Sequence, residues 1–408
     1  MRTAALVAYR AASDVVGKAA FFVVTIVAAR RLSSEGFGVF ALGTTIGWMA
    51  VVASDCGLQM HLARAVARVP DAAGYELRKW LRVRIALAGA ALVVVAISLA
   101  ALDASRHAPA IMLFVLGYLA AGLVEFVHYF YRGLSRTDIE STLTLWQRVG
   151  TLAAACIALW LRPEVATLAA AMVVPPLATA VYTVRLAAGM GPSTGSPAPP
   201  VQSPLSEFVR DVAPVGAGIL LSALYFRIDV FLLEAWQGTE TVGLYNSVFR
   251  VVEALRLFPA ALLAVMLPRL VRAANPRPLV RMAAALTAFG ILVAAALWLA
   301  ADRLVPALYG PSFADAVPAL QVLAAAFPLM SLNYALTYQL IAWNGHRAYA
   351  ALCLAALVFN VALNARWIPA MSLNGAAWST LATEALLTAG CAGLLARRPA
   401  PAAAMATT

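Results

Sequence analysis

From Ile85 to Leu102 the chain reads IALAGAALVVVAISLAAL, eighteen residues without a charge and without polar–apolar alternation. An α-helix needs about 20 such residues to cross ~30 Å of hydrocarbon. Twelve stretches of this kind can be placed, at 10–30, 39–62, 82–102, 109–131, 140–161, 165–187, 208–233, 242–267, 280–300, 315–342, 347–367 and 373–396. Composition agrees. Of 408 residues, 63% are hydrophobic and 12% charged, against about 45–50% and about 25% in a soluble globule. Barrel strands would show alternating segments of ~10 residues, and these runs do not. Backbone groups in lipid must be satisfied within the segment itself. The expected fold class is therefore an all-α membrane protein with about twelve transmembrane helices.

The two halves of the chain echo each other. Residues 31–40 read RLSSEGFGVF and 236–245 read WQGTETVGLY, so Gly38 and Phe40 correspond to Gly243 and Tyr245. Residues 125–136, EFVHYFYRGLSR, correspond in the same way to 336–347, LTYQLIAWNGHR, aligning Arg136 with Arg347. Paired halves in a bilayer suggest two related six-helix lobes of a transporter, with the substrate path between them. The lobes are expected at 1–188 and 207–396. Between them, 189–206 (GMGPSTGSPAPPVQSPLS) reads as a Pro/Gly/Ser linker, and 397–408 as a disordered tail.

Basic residues set the orientation. Arg64, Arg68, Arg78, Lys79, Arg82 and Arg84 follow the second span, and alternate connections carry most of the others. The opposite connections hold only Arg30, Arg31, Arg106, Arg162, Arg303 and Arg366. The positive-inside rule then puts both termini, the linker and the tail in the cytoplasm. The net charge of +11 is mainly this topological signal; nucleic-acid binding would gather the bases on one folded face. Val27-Ala28-Ala29 loosely resembles a signal-peptidase site, but Asp14 and Lys18 suit a signal peptide badly.

Several chemistries lack their residues. The four cysteines, Cys56, Cys156, Cys353 and Cys391, fall in membrane segments without a C-x-x-C pattern and read as small buried hydrophobes. His61, His107, His128 and His346 lack metal-ligand spacing. There is no phosphate-binding G-x-x-x-x-G-K-[ST], no G-x-S-x-G and no zincin pattern. No enzyme activity, metal or cofactor is expected. Pro175-Pro176 and Pro259 lie inside spans, as tolerated kinks or as hinges.

Charge inside the bilayer is the informative chemistry. Each such residue costs at least ~2.5–3.5 kcal/mol on insertion scales and so faces a partner or a hydrated cavity. Asp14 and Lys18, four apart, form an intrahelical ion pair or a cavity-facing Lys18. Asp55 lies mid-span in the second segment, with a basic partner elsewhere or as a proton or cation site. Glu125, His128, Tyr129 and Arg132 make a polar stripe on one helix, either a structural network or a proton relay. Arg148 has no local partner beside Gln147. In the second half, Arg227 and Asp229 share one helix, and Arg250, Glu253 and Arg256 fall within a ~120° arc of the next. The arc is either a self-neutralising ladder, with Glu253 holding Arg250 and Arg256, or an electropositive wall. Arginine forks suit phosphate oxygens. Glu384 has no partner that the sequence can name.

These segments resemble the polysaccharide and oligosaccharide flippases of the multidrug/oligosaccharidyl-lipid/polysaccharide exporter superfamily. The resemblance runs over nearly the whole chain. It rests on AARRLSSEGFGVFALG (28–43), DCGLQMHLAR (55–64), YRGLSR (131–136), RIDVFLLEAW (227–236), TVGLYNSVFRVVEAL (241–255), FPAALLAVMLPRL (258–270), LYGPSFADAVPALQVLA (308–324) and FNVALNARWIPAMSLNGAAWSTL (359–381). It implies transport of undecaprenyl-pyrophosphate-linked oligosaccharide repeat units from the cytoplasmic to the periplasmic leaflet of a bacterial inner membrane, for surface polysaccharides such as O-antigen or exopolysaccharide. It also implies an all-α fold of two pseudo-symmetric six-helix lobes around a central cavity, with alternating access through that cavity, which tends to be cationic. Lys18, Arg148, Arg227, Arg250 and Arg256 are the substrate-binding candidates. Asp14, Asp55, Glu125, Asp229 and Glu253 are charge partners or couple a proton or sodium gradient. Expected partners are the lipid-linked oligosaccharide, membrane lipids and the polysaccharide polymerase and export machinery; nucleic acid is not among them. A drug/cation antiporter of the same superfamily and a membrane polysaccharide polymerase or ligase are the alternatives.

Overall fold

A computed structural model describes residues 2–101, 106–190, 213–259, 262–263, 277–342 and 345–397. It holds thirteen helices among the described residues and no strand. The linker at 189–206, but for its first two residues, and the tail beyond Arg397 lie outside the described residues. Eleven helices are long and apolar enough to cross a membrane. Large side chains point outward on many of them: Trp146, Trp160, Ile97 and Leu299 are more than 60% exposed. A water-soluble protein would bury such groups, so these faces meet lipid.

The chain divides into two compact units, Met1–Leu220 and Leu221–Thr408. The first holds α1 (Arg2–Arg31), α2 (Ser34–Asp55), α3 (Leu58–Arg68), α4 (Ala73–Ala101), α5 (Ala108–Gly133), α6 (Thr137–Leu161) and α7 (Val165–Ala188). Helix α8 (Ala213–Gln237) carries the boundary within it. The second unit continues with α9 (Thr239–Leu255), α10 (Arg277–Tyr309), α11 (Val317–Ala342), α12 (His346–Met371) and α13 (Leu373–Ala396). The eighth expected span, 242–267, is helical over Thr239–Leu255, and part of its remainder lies outside the described residues.

Helix ends follow local chemistry. Ser33 caps α2, accepting from the Gly36 amide at 3.1 Å, with Glu35 in the first turn. Inside the spans, Thr25, Thr45 and Ser54 return their hydroxyls to carbonyls four residues back, which hides their polarity from lipid. Pro175 and Pro176 lie within α7, which continues through both.

Two expectations are corrected here. The second span is not continuous from 39 to 62. It breaks after Asp55, where Cys56 (φ 44°) and Gly57 (φ 84°) both turn left-handed, and the chain leaves as the amphipathic helix α3. Asp55 therefore sits at a helix junction rather than mid-span. Its carboxylate accepts from the backbone amides of Gly57 at 3.2 Å and Gln59 at 3.4 Å, satisfying donors that begin α3. Arg84, which the orientation count takes as a connecting base although it falls within the 82–102 stretch, lies inside α4 and is 1% exposed. It donates to Ser54 Oγ at 2.5 Å, beside the Val51 carbonyl, at the C-terminal end of α2. A cation is favourable at that end because the last carbonyls have no intrahelical partner.

Leu58, Leu62 and Val66 anchor α3 on a core with Leu77, Trp80, Phe126 and Phe130 from α4 and α5. In the second unit, α12 and α13 are joined by a reversal at Ser372, and Gly375 packs directly on the backbone of Trp367. A β-carbon at Gly375 would overlap the Trp367 carbonyl oxygen, whereas one at Gly393 of the same helix meets nothing within 4 Å. Gly375→Ala should thus lose about 1–3 kcal/mol of stability through overpacking. Gly393→Ala should be neutral or gain up to about 1 kcal/mol. Thermal unfolding of the purified protein in detergent checks the contrast; equal melting temperatures for the two variants would contradict it.

Candidate functional site

The first unit encloses a cavity of about 380 Å³, within the range of small-molecule sites. Helices α1, α5 and α6 give it charge, and Phe21, Trp48, Phe114 and Met172 give it apolar wall. From α1 come Asp14 and Lys18. They are one turn apart and both exposed, yet they form no ion pair, so the intrahelical pairing is not present. From α5 come Glu125, His128 and Arg132, the polar stripe of the sequence. From α6 come Glu140, Gln147 and Arg148. The Arg148 stem lies against Gly17, whose missing side chain lets α6 approach α1.

These charges fall into two kinds. Arg132 and Glu140 form a two-pronged pair, with Nε 2.9 Å from each carboxylate oxygen and Nη2 also bonded. Arg10 reaches the same carboxylate at 3.7 Å, and the Tyr129 ring lies 4.0 Å under the Arg132 guanidinium. This half of the stripe is a structural clasp between α5 and α6. Lys18, Arg148, Asp14 and Glu125 form no ion pair among the described residues. His128 is 5% exposed and its Nε2 is buried without a hydrogen-bond partner. The cavity of this unit therefore has three bases against three acids, and is balanced rather than cationic. Two of each sign remain available to a ligand.

The second unit gathers the other candidates. Arg227 of α8 is 3% exposed. It donates to Glu253 at 3.1 Å and to Asn246 Oδ1 at 3.4 Å, both on α9, and stacks 4.5 Å over Phe249. Arg250 donates to the same Glu253 oxygen at 2.6 Å. Glu253 thus does hold two arginines, but they are Arg250 and Arg227. The ladder expected along one helix is instead a triad across two. Arg256 closes α9 as its C-cap and lies 4.3 Å over Phe226 and 5.3 Å over Tyr334, with a buried Nε that has no hydrogen-bond partner. One carboxylate thus lies between two guanidiniums, while Asp229 and Glu384 also act electrostatically on Arg227 and Arg256. Asp229 is buried and turns elsewhere, accepting from Tyr245 Oη at 2.5 Å and from the Val230 amide.

Sequence reasoning missed a polar network deep in this unit. Glu384 of α13 accepts from Asn333 Nδ2 of α11 at 2.7 Å, and Thr388 donates to Asn333 Oδ1 at 2.8 Å. Asn360 and Asn364 of α12 join Thr383 in a second chain. Three asparagines and a glutamate at helical spacing in apolar text were its only signal. Among the described residues no group of three His, Cys, Asp or Glu side chains could hold a metal ion.

With this geometry in hand, the comparisons with known proteins are informative. The family model for polysaccharide biosynthesis proteins matches residues 5–274. No curated protein matches the chain by sequence. Solved structures share the fold. A multidrug resistance MATE family transporter of the MOP superfamily, inward-facing, superposes with TM-score 0.72 at 13% identity, covering 94% of this chain and 96% of its own. The lipid II flippase MurJ, inward closed, gives 0.60 at 11% identity over 96% and 88%. A MOP superfamily transporter from Pyrococcus furiosus gives 0.60 at 13% over 95% and 94%. The chain has the transporter fold of these proteins.

The Glu253 triad yields a stability test. Glu253→Ala leaves Arg227 buried without its carboxylate. Breaking a buried pair costs about 3–5 kcal/mol; because the Glu253 side chain is 36% exposed, about 1–3 kcal/mol is expected here. Adding Arg227→Met should recover part of the loss. A double variant less stable than Glu253→Ala alone, in the same thermal assay, would show that the triad is not the source.

Proposed function

The chain belongs to the polysaccharide biosynthesis protein family, and on that premise we propose that it flips undecaprenyl-pyrophosphate-linked oligosaccharide repeat units from the cytoplasmic to the periplasmic leaflet. The observation that carries the reading is the pair Lys18 and Arg148: two cations in the cavity of the first unit with no ion-pair partner among the described residues. A charge left so in hydrocarbon is costly unless water or a ligand meets it. Pyrophosphate supplies the missing counter-charge, and the lipid tail can stay in the bilayer. The arginines of the Arg227–Glu253–Arg250 triad and the stacked Arg256 support the same ligand class in the second unit. A glycan crossing hydrocarbon unaided would leave its hydroxyls desolvated and unbonded; an alternating-access cavity removes that barrier.

In this reading the protein is a multi-pass inner-membrane transporter rather than an enzyme, with both termini cytoplasmic. It delivers to a polymerase and export machinery, and draws on a proton or sodium gradient. One observation favours a second reading. Asp14 and Glu125 share the cavity and likewise form no ion pair, which suits an organic cation and hence a drug/cation antiporter.

The deciding experiment uses a deletion strain. Lipid-linked saccharides are labelled with a membrane-impermeant sugar reagent on spheroplasts and on inverted vesicles. Accumulation on the cytoplasmic face is expected, reversed by the wild-type gene. Lys18→Gln and Arg148→Gln should each lower export about tenfold or more, as expected for loss of a charge-assisted contact, at unchanged membrane abundance. Wild-type export by both variants, alongside lost drug resistance in Asp14→Asn, would move the assignment to the antiporter. Unpolymerised units already on the periplasmic face would move it to a polymerase or ligase.

A further inference from the structure

Four arginines lie outside every interaction described so far. Arg64 and Arg68 are one turn apart on α3, and Arg78 and Arg82 one turn apart on α4; all four are exposed. Like charges at this spacing repel along a helix. None of the four forms an ion pair among the described residues. Of the two acids between Leu58 and Arg84, Glu76 is buried and accepts from Trp80 Nε1 at 2.9 Å, which leaves only Asp71 exposed. The protein thus holds four cations together with too little counter-charge of its own.

Their position says where that counter-charge comes from. Arg78 and Arg82 begin a stripe that continues along α4 through Ile85, Gly89, Val93 and Ile97, at steps of three or four residues. All of these are exposed, with Ile85, Val93 and Ile97 at 53%, 57% and 64%. Only 11% of the most apolar window of this span is buried inside the protein, against 61% for α2 and α5. The stripe therefore faces acyl chains, and the arginines stand where it leaves them, at headgroup depth. Helix α3 is fixed beside this point. Its apolar face (Leu58, Leu62, Val66) is locked into the core with Leu77 and Trp80 of α4, so Arg64 and Arg68 remain on the outer side.

We propose that the α3–α4 corner is a binding surface for anionic phospholipid headgroups, with Arg64, Arg68, Arg78 and Arg82 engaging their phosphates. The amphipathic helix following the α2 break lies against the membrane surface, and the Arg78–Ile97 stripe accepts the acyl chains of the same lipids. Continuity with a lipid-facing stripe favours a lipid over an acidic protein partner. The surface is separate from the cavity and does not depend on the transported substrate.

The test uses the full-length protein in phosphatidylcholine bilayers, with trace spin-labelled phosphatidylglycerol or phosphatidylcholine reporting the lipid fraction immobilised at the protein. A near-surface cation attracts an anionic lipid by a factor of about five, so at least a severalfold preference for phosphatidylglycerol is expected, weakening with salt. Substituting all four arginines by glutamine (R64Q, R68Q, R78Q and R82Q together) should abolish most of it, whereas R64K, R68K, R78K and R82K together should retain most. Equal immobilisation of the two lipids by the wild type overturns the proposal. So does a preference that the glutamine variant keeps. If the wild type shows no lipid preference but binds a polyglutamate peptide that the glutamine variant releases, the surface belongs to an acidic protein instead.

Discussion

Hydrocarbon offers no hydrogen bonds and almost no screening, so a charge within the spans must find its answer inside the protein or in trapped water. That demand accounts for most of the interior. Hydroxyls fold back onto their own helices. Arg84 closes on Ser54, Arg132 on Glu140, and Arg227 with Arg250 on Glu253. Each of these ties two helices, or a helix to its break, by the partner it requires. The charges that escape the rule lie on the cavity wall or at headgroup depth. Leaving Lys18 and Arg148 without ion-pair partners in a cavity is therefore a positive structural statement.

The class of fold was legible because it depends on run length and period alone. Helix interiors in lipid need only uninterrupted apolar text, and that is local information. What failed was also local in one case. Asp55-Cys56-Gly57 carries a capping acid followed by a glycine, the ordinary mark of a chain reversal, but it was read as part of a span because its neighbours are apolar. Arg84 is ambiguous for the opposite reason: it falls within the 82–102 span, yet Arg78, Lys79 and Arg82 before it make it look like one more topological base. Nothing in a one-dimensional charge list distinguishes an arginine that caps a distant helix end from Arg78 and Arg82, which face outward.

Partner choice was the least legible property. The helical arc correctly put Arg250, Glu253 and Arg256 on one face, but the carboxylate took its second arginine from another helix. Glu384 found Asn333, 51 residues away. Such pairings depend on which helices are neighbours, which no single-helix projection contains. The internal echo shows the same division. Phe40 and Tyr245 occupy matching places in α2 and α9, and both are buried. Phe40 meets the ring of Phe114, while Tyr245 donates to Asp229. The two positions share burial and differ in chemistry.

Arg256 illustrates what a ring contact can do for a charge. A guanidinium resting over aromatic faces is held through its flat surface, while its N–H donors radiate in the plane. Its orientation is largely settled by Phe226 and Tyr334. A lysine would carry the same charge with no plane to align. At this position the aromatic neighbours act as a mount that gives a flexible side chain a fixed direction.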